Sequence, residues 1–355
     1  MAIAKNNVYR AGLRLLFVCA AAATVPVLAA TAPADSQVTD AANAGALGEI
    51  IVTAQKRPER LQDIPVTVTA VNAADLSAFN ITNNRDLNMV VPGLSIQAQG
   101  SYTLPALRGV TTTLTSLGDE PNIATYVDGV YYPVSFGDFF EFNNIDHIEV
   151  LKGPQGSLFG RNATGGAINI VTRTPSDVTT GEFSMGYGRF HEFDLDGYIS
   201  GPLTSQLSAD LSITKKKDDG WARDIYLSRD VEATDTFAAR SKLVFRPDDS
   251  AKFTLVLDYS RVDDPPPNFL IGGDSLAKLL APPGTAVVVP SQYGTTASNF
   301  AVTNPVTQYG VSLTSEFNFR PNDLISVTAV RQAHADGHFD IDATSLNFID
   351  LYYIK

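Results

Sequence analysis

Past Thr180 the chain alternates with a period of two through one segment after another, which restricts it to half-buried antiparallel strands. Phe193, Leu195, Gly197 and Ile199 share one face, with Asp194, Asp196 and Tyr198 on the other; Leu207, Ala209, Leu211 and Ile213 oppose Ser208, Asp210, Ser212 and Thr214. Phe253, Leu255, Leu257 and Tyr259 repeat the scheme, as do Tyr309, Val311 and Leu313, and then Ile325, Val327 and Ala329. A soluble β-sandwich and a transmembrane barrel both alternate in this way, the first with its apolar face turned inward and the second with it turned to lipid. The links favour the barrel. Short turns at 201–205, 246–250 and 320–323 alternate with long polar links at about 215–234 and 261–304, as periplasmic turns and extracellular loops do. About seven strands fit from Gly181 to Ala343, with an eighth beginning near Leu346.

The first 34 residues hold Lys5, Arg10 and Arg14, no acid, an apolar run from Leu13 to Ala23, and small residues from Ala29 to Ala34. These are the parts of a secretory signal peptide, with cleavage after Ala29 or Ala34. The run falls short of the ~20 apolar residues a spanning helix needs. Cys19, the chain's one cysteine, leaves with this leader, so disulfides, thiolate metal sites and cysteine nucleophiles are closed to the mature chain. Loss of the three basic residues takes the formal charge from −12 to −15, which argues against a nucleic-acid partner. No later run offers ~18 apolar residues in a row, so any crossing of a membrane falls to strands.

Residues 35–47 are rich in Ala, Thr and Asp and read as a flexible tether. After them Ile50, Ile51, Val52 and Thr53 form a β-prone run, fit either to add to the sheet edge of a partner or to serve as an edge strand of the next domain. From about 61 to 174 the pattern is mixed. A strand at 65–71 leads into a helix capped by Asn72 with Asp75 in its first turn, and a second short helix is expected at 83–89. Strands follow near 94–98 and 106–110, and those at 123–127 and 130–132 flank Asp128-Gly129, a type I′ hairpin pair. Strands at 147–151 and 166–173 bracket a stretch in which Gly153, Gly156, Gly160, Gly165 and Gly166 permit positive φ and close backbone approach.

Pro92-Gly-Leu94, Leu107-Arg-Gly109, Tyr126-Val-Asp-Gly129 and the long run Ile148-Glu-Val-Leu-Lys-Gly-Pro-Gln-Gly-Ser-Leu-Phe-Gly-Arg-Asn-Ala-Thr-Gly-Gly-Ala-Ile-Asn-Ile-Val-Thr172 stand in one order. In that order they resemble the plug domain of TonB-dependent outer-membrane receptors, and the resemblance extends from Glu49 to about Pro175. It implies an α+β plug domain at 61–175, followed by antiparallel transmembrane β-barrel strands at 180–355. Before them come the signal peptide at 1–34 and a periplasmic tether at 35–60. Glu49, Ile50, Ile51, Val52 and Thr53 resemble the TonB box. The implied activity is import of a scarce substrate, a ferric siderophore or another nutrient, across the outer membrane, with no enzymatic step and no cofactor. The implied partners are the TonB energy-transducing protein, outer-membrane lipid and the barrel-assembly machinery.

By the same resemblance, substrate would meet Gln97, Gln99, Ser101 and Tyr102 in one plug loop, Thr112 and Ser116 in another, and Tyr132 and Phe136 after the hairpin. Arg108 and Arg161 would latch the plug to acidic wall residues, with Asp194, Asp196 and Asp210 as candidate partners. Barrels of the family have about 22 strands of ~10 residues. The 175 residues that follow position 180 of 355 fall short of that, so the chain reads as the amino-terminal part of a longer receptor or as a truncated product.

A catalytic set is not evident. Residues 153–160 lack the Gly-Lys-Ser/Thr ending of a phosphate-binding loop. His334, Asp336, His338, Asp340 and Asp342 share parity and would form a stripe on a strand, which reads as a solvated face before it reads as a metal site, since nothing in the spacing fixes a ligand geometry. A passive outer-membrane channel and a soluble β-sandwich binding protein are the alternatives.

Overall fold

The structure is a computed structural model, and it describes residues 51–53, 59–99, 102–112, 120–132, 144–263, 281–290, 292–340, 344–346 and 350–354. Its first part is organised by a five-stranded sheet. Strands β1 (Thr67–Asn72), β2 (Ile123–Val127), β3 (Val130–Tyr132), β4 (Ile145–Lys152) and β5 (Gly166–Thr172) lie in the order β1-β4-β5-β2-β3. Only the β5–β2 pair is parallel. Asn72 ends β1 and caps helix α1 (Ala73–Ala78), its side chain accepting the Asp75 N–H at 2.9 Å. The second helical turn, Asn84–Met89, is 3-10 in form and carries a full capping box between Asn83 and Asp86. The β2–β3 hairpin turns at Asp128 and Gly129, both at positive φ (48° and 79°), as a type I′ turn requires.

One face of the sheet buries Val71, Leu87, Leu107, Ile123, Ile148 and Ile170 beneath α1 and the hairpin Leu94–Gln99 with Tyr102–Leu107. The other face packs Val52, Ile64, Tyr126, Leu151, Phe159 and Ala167. Of the five glycines, Gly166 carries the close approach. A Cβ there would lie 2.3 Å from the Leu151 carbonyl oxygen and 2.6 Å from Leu107 Cδ2, at φ +148°.

The second part is an up-and-down antiparallel sheet of eight strands in sequence order. They are β6 (Thr180–Tyr187), β7 (Phe193–Pro202), β8 (Leu207–Lys217), β9 (Asp235–Asp248), β10 (Ala251–Asp263), β11 (Pro305–Phe319), β12 (Asn322–Asp340) and β13 (Asp350–Ile354). The expected eighth strand is present and starts at Asp350 instead of near Leu346. The long links fold back on one another, where Ala222–Asp224 pairs with Arg229–Val231 and, in parallel, with Thr295–Thr296.

The polarity of this wall is reversed relative to a soluble protein. Ser208, Asp210, Ser212, Thr214, Thr236, Arg240 and Lys242 are buried, whereas Ile199, Leu211, Phe237, Leu257, Tyr259, Tyr309, Val311 and Leu313 are exposed. Ser212 is 0% exposed while its neighbour Leu211 is 41% exposed. Covering one large apolar side chain is worth about 1.5–3 kcal/mol. A continuous band of uncovered ones across β7–β11 therefore needs a non-aqueous solvent, which lipid supplies. A β-sandwich would bury this face, so the soluble alternative does not fit.

Candidate functional site

The chemistry collects at two places: the junction of the plug with the buried polar face of the wall, and the part of the plug where residues 51–53 are seated.

At the junction, the type I′ turn projects Asp128 against β9. Alternation along β9 turns Arg240 and Lys242 to the same inner face, two residues apart. Asp128 Oδ2 accepts from Arg240 Nη2 at 2.6 Å and lies 3.3 Å from Lys242 Nζ, with the two basic side chains only 2% and 6% exposed. The Thr172 N–H and hydroxyl donate to Asp128 at 2.9 and 2.7 Å, and Lys242 Nζ also donates to the Thr172 carbonyl at 3.2 Å. Burial disfavours the Asp128 carboxylate, but the charges of Lys242 and Arg240 and the Thr172 donors outweigh it and lower its pKa to about 2. Beside it, Arg331 of β12 forks onto Asp258 of β10 with two bonds of 2.8 Å and lies with its Cζ 3.9 Å from the centre of the Tyr132 ring. Farther along, Arg173 pairs with Glu182 of β6 at 2.8 Å, and Ser176 N–H donates to Ser200 Oγ of β7 at 2.7 Å. These contacts among the described residues are made by charges, hydroxyls and one aromatic face.

At the second place, Ile51 and Val52 pair with Arg60 and Glu59 in a two-residue antiparallel ladder. Val52 is fully buried in the second apolar layer. Thr53 donates from both its N–H and its hydroxyl to Glu149 Oε1, the latter at 3.1 Å. Glu149 is itself fully buried in the middle of β4 and accepts from Asn169 Nδ2 at 2.9 Å, with His147 Nε2 at 3.0 Å. Burial opposes the charge on Glu149, and the His147, Asn169 and Thr53 donors reverse that effect and lower its pKa. For His147, burial likewise opposes the proton, while the bonds to Glu149 and Asp146 raise its pKa.

These positions correct several expectations. Of the two readings of the run at 49–53, the structure shows Val52 and Thr53 seated on the plug, where Val52 completes its apolar layer, and Glu49 and Ile50 lie outside the described residues. Arg161 pairs with Glu120 of the plug itself at 3.0 Å, and Arg108 makes no ion pair with the wall among the described residues. The latch runs with the opposite polarity, from an acidic plug turn to basic wall residues. Asp210 accepts the Lys242 N–H at 2.8 Å, and Asp196 accepts the Thr214 hydroxyl at 2.9 Å, so the wall's own groups occupy these carboxylates.

Of the expected substrate contacts, Tyr132 is buried under Arg331, and the Thr112 hydroxyl is engaged by the Asn122 N–H at 2.7 Å. Gln97 is exposed on its strand, and the backbones of Gln99 and Tyr102 pair with each other across the hairpin. Ser101, Ser116 and Phe136 lie outside the described residues. In the His/Asp stripe, His338 stacks on Phe300 at 3.7 Å and Asp340 accepts the Asn299 N–H at 3.3 Å, so link 292–304 packs along it; Asp342 lies outside the described residues. Arg240 and Lys242 were not anticipated. Two cations facing inward on one strand were the available signal, since such a pair calls for an anion opposite.

The family model of the TonB-dependent receptor plug domain matches residues 60–167. The pesticin receptor of Yersinia pestis is 31% identical over 205 residues, covering 56% of this chain and 30% of that protein. The vitamin B12 transporter BtuB of Vibrio vulnificus is 27% identical over 176 residues, covering 48% and 28%. The chain thus spans under a third of the length of these relatives. Among solved structures, the ferric yersiniabactin uptake receptor FyuA from Yersinia pestis superposes with a TM-score of 0.65 at 23% identity, covering 77% of this chain and 42% of that one. Residues 60–167 thus match the TonB-dependent receptor plug domain, and the plug followed by a wall of outward-apolar strands has the fold of that solved structure.

Proposed function

We propose that the protein takes part in active import of a scarce nutrient across the outer membrane, with TonB as its energy-transducing partner. The observation that carries this reading is the junction itself. A folded domain sits against the buried polar face of a lipid-facing wall and is held there by Asp128, Arg240 and Lys242. A passive channel has no use for such an obstruction. The outer membrane has no ATP of its own, so work to move the plug has to arrive mechanically, and residues 49–53 offer a β-prone segment for strand addition.

The substrate class follows the relatives, whose names include a vitamin B12 transporter and a ferrichrome outer membrane transporter. A ferric siderophore or a similarly bulky nutrient is the reading we adopt. Residues 1–34 would direct the chain to secretion, the barrel-assembly machinery would insert the wall, and residues 35–60 would lie in the periplasm. The test is uptake of labelled ferric siderophores and cobalamin by cells carrying the receptor with and without residues 49–53. Import should cease on deletion while surface binding persists. Import that persists without the segment refutes the reading.

A further inference from the structure

We propose that Asp224, together with Thr296 and Ser298, forms a site for a hard divalent cation, Ca2+ by its chemistry, that joins the two long links of the wall. The site depends on neither TonB nor the imported substrate.

Asp224 comes from the link after β8, and Thr296 and Ser298 come from the link after β10. In the small sheet that these links build, Ala222–Asp224 is the middle strand, and Asp224 stands in register with Thr296 on the parallel neighbour. Register partners on adjacent strands turn their side chains to one face. The hydroxyl oxygens of Thr296 and Ser298 lie 3.2 Å apart. Asp224, Thr296 and Ser298 are 0%, 3% and 2% exposed.

The Asp224 carboxylate is only half satisfied. Its Oδ1 accepts the N–H groups of Tyr226 and Leu227 at 2.9 and 2.8 Å, which fixes the orientation of the group. Its Oδ2 is buried and has no hydrogen-bond partner. Arg229, the register partner on the other neighbouring strand, is exposed and makes no bond to that oxygen. A buried carboxylate oxygen without a donor is strongly disfavoured. Protonation does not cure this, because the added hydrogen would need an acceptor in the same place. A cation does, since it makes a ligand of the orphan oxygen and can draw on the hydroxyls that share its face. All three side chains offer oxygen, and one carries charge. Zn2+ and copper favour nitrogen and sulfur donors, and Mg2+ demands a near-ideal octahedron, whereas Ca2+ takes neutral oxygens beside a carboxylate in a flexible geometry. A single carboxylate puts the site at the weak end of the Ca2+ range, at about 0.1–1 mM.

The chain has one tryptophan, Trp221, three residues before Asp224, so an ion held there can be read through that ring. The probe is Tb3+, a stand-in for Ca2+ at oxygen sites, added to the full chain in detergent after divalent ions have been stripped. Emission sensitised by Trp221 should appear and be displaced by Ca2+ at about 0.1–1 mM, with Mg2+ effective only at higher concentration. Asp224→Asn keeps an oxygen for the Tyr226 and Leu227 N–H groups but removes the charge, and should weaken binding about tenfold or more. Thr296→Val, in the other link, leaves the Asp224 turn intact and should weaken binding by a smaller factor. Asp230→Asn, in the same small sheet but exposed and paired with Arg223, should bind as the wild type does.

An absence of Trp221-sensitised emission overturns the proposal. So does a wild-type titration in either Asp224→Asn or Thr296→Val, because one of the two links would then contribute nothing. Equal weakening in Asp230→Asn also overturns it, since surface charge at large would then be holding the ion. The temperature at which heat-modifiable migration is lost, taken without divalent ions, should agree in all four chains; weakening that appears only with a fall in that temperature counts against the site.

Discussion

Replacing Asp128 by asparagine tests the junction most directly. Asparagine keeps an oxygen for the Thr172 N–H but puts an NH2 donor where Oδ2 now faces Arg240 and Lys242. Two almost fully buried cations would lose the carboxylate they share, leaving Asp258 and Asp210 as the remaining negative charges near Arg240 and Lys242. Breaking a buried pair by removing one partner costs about 3–5 kcal/mol. The depressed carboxyl gives a lower figure from the wild-type protein itself: a shift from 3.8 to about 2 corresponds to about 2 kcal/mol at neutral pH. Because the folded pKa lies below the unfolded one, this contribution is fully present above pH 3.8 and is lost as pH falls through about 2.

The assay is urea titration of the full chain in outer-membrane preparations, with trypsin cleavage inside the plug as the readout. With a slope of about 1–3 kcal/mol per molar urea, a loss of that size moves the plug midpoint down by about 2 M. Combining Asp128→Asn with Arg240→Met should cost less than the sum of the two changes, with a coupling of about 1.5 kcal/mol or more. A midpoint that moves by less than about 0.3 M, or changes that simply add, would refute the claim that this carboxylate holds the plug to the wall.

Other expectations are more local. Gly166→Ala should destabilise the plug by about 3 kcal/mol or more in the same titration, because a Cβ has nowhere to go between the Leu151 carbonyl and Leu107, at a backbone angle that suits glycine. Leu257→Arg, on the uncovered outer face, should lower the stability of the inserted wall by about 2–4 kcal/mol, seen as a lower temperature for loss of heat-modifiable migration on gels; a neutral effect would mean that this face does not meet lipid. Arg331→Lys keeps the charge but gives up the double bond to Asp258 and the planar contact with Tyr132, so it should shift the plug midpoint by about 0.5–1 M, with no shift if the stacking is incidental.

What could be read in advance follows the range of the forces involved. The Asn72 cap and the Asp128-Gly129 hairpin depend on atoms a few residues apart, and both form as the local chemistry suggests. The wall strands were legible because a period of two is repeated over many residues, and the register of one hairpin constrains the next. The junction was not legible, because it depends on how two separate sheets sit against each other. Asp128 looked accounted for as a turn residue, and that role hid its charge; Arg161 looked like a latch, yet Glu120 is nearer and has Asn162 and Tyr131 around it to complete a cluster within the plug. Val52 shows the same limit from the apolar side. Its β propensity was evident, but the vacancy it fills between Ile64, Leu151 and Ala167 exists only once the sheet has formed.

The composition of the junction bears on how a plug can be both held and moved. Had Leu and Phe lined the contact, separating plug from wall would expose apolar surface on both, at about 25 cal/mol for each Å2, and nothing would be recovered. Here the separated surfaces carry Asp128, Arg240, Lys242, Arg173 and Ser200, all of which water can solvate. The attraction between buried charges is largely offset by the hydration they give up, so an ion-paired contact can be opened into water at far less cost than deletion of one partner suggests. A mutation that strands a buried cation and a displacement that hydrates it therefore differ in energy although they break the same bond. The exposed apolar side chains of β7–β11, such as Leu211, Leu257 and Val311, are unaffected in either case, since they lie on the opposite face of the wall from Arg240 and Lys242. The reversed polarity of the wall thus does two jobs, fixing which side meets lipid and leaving the inner side wettable when the plug shifts.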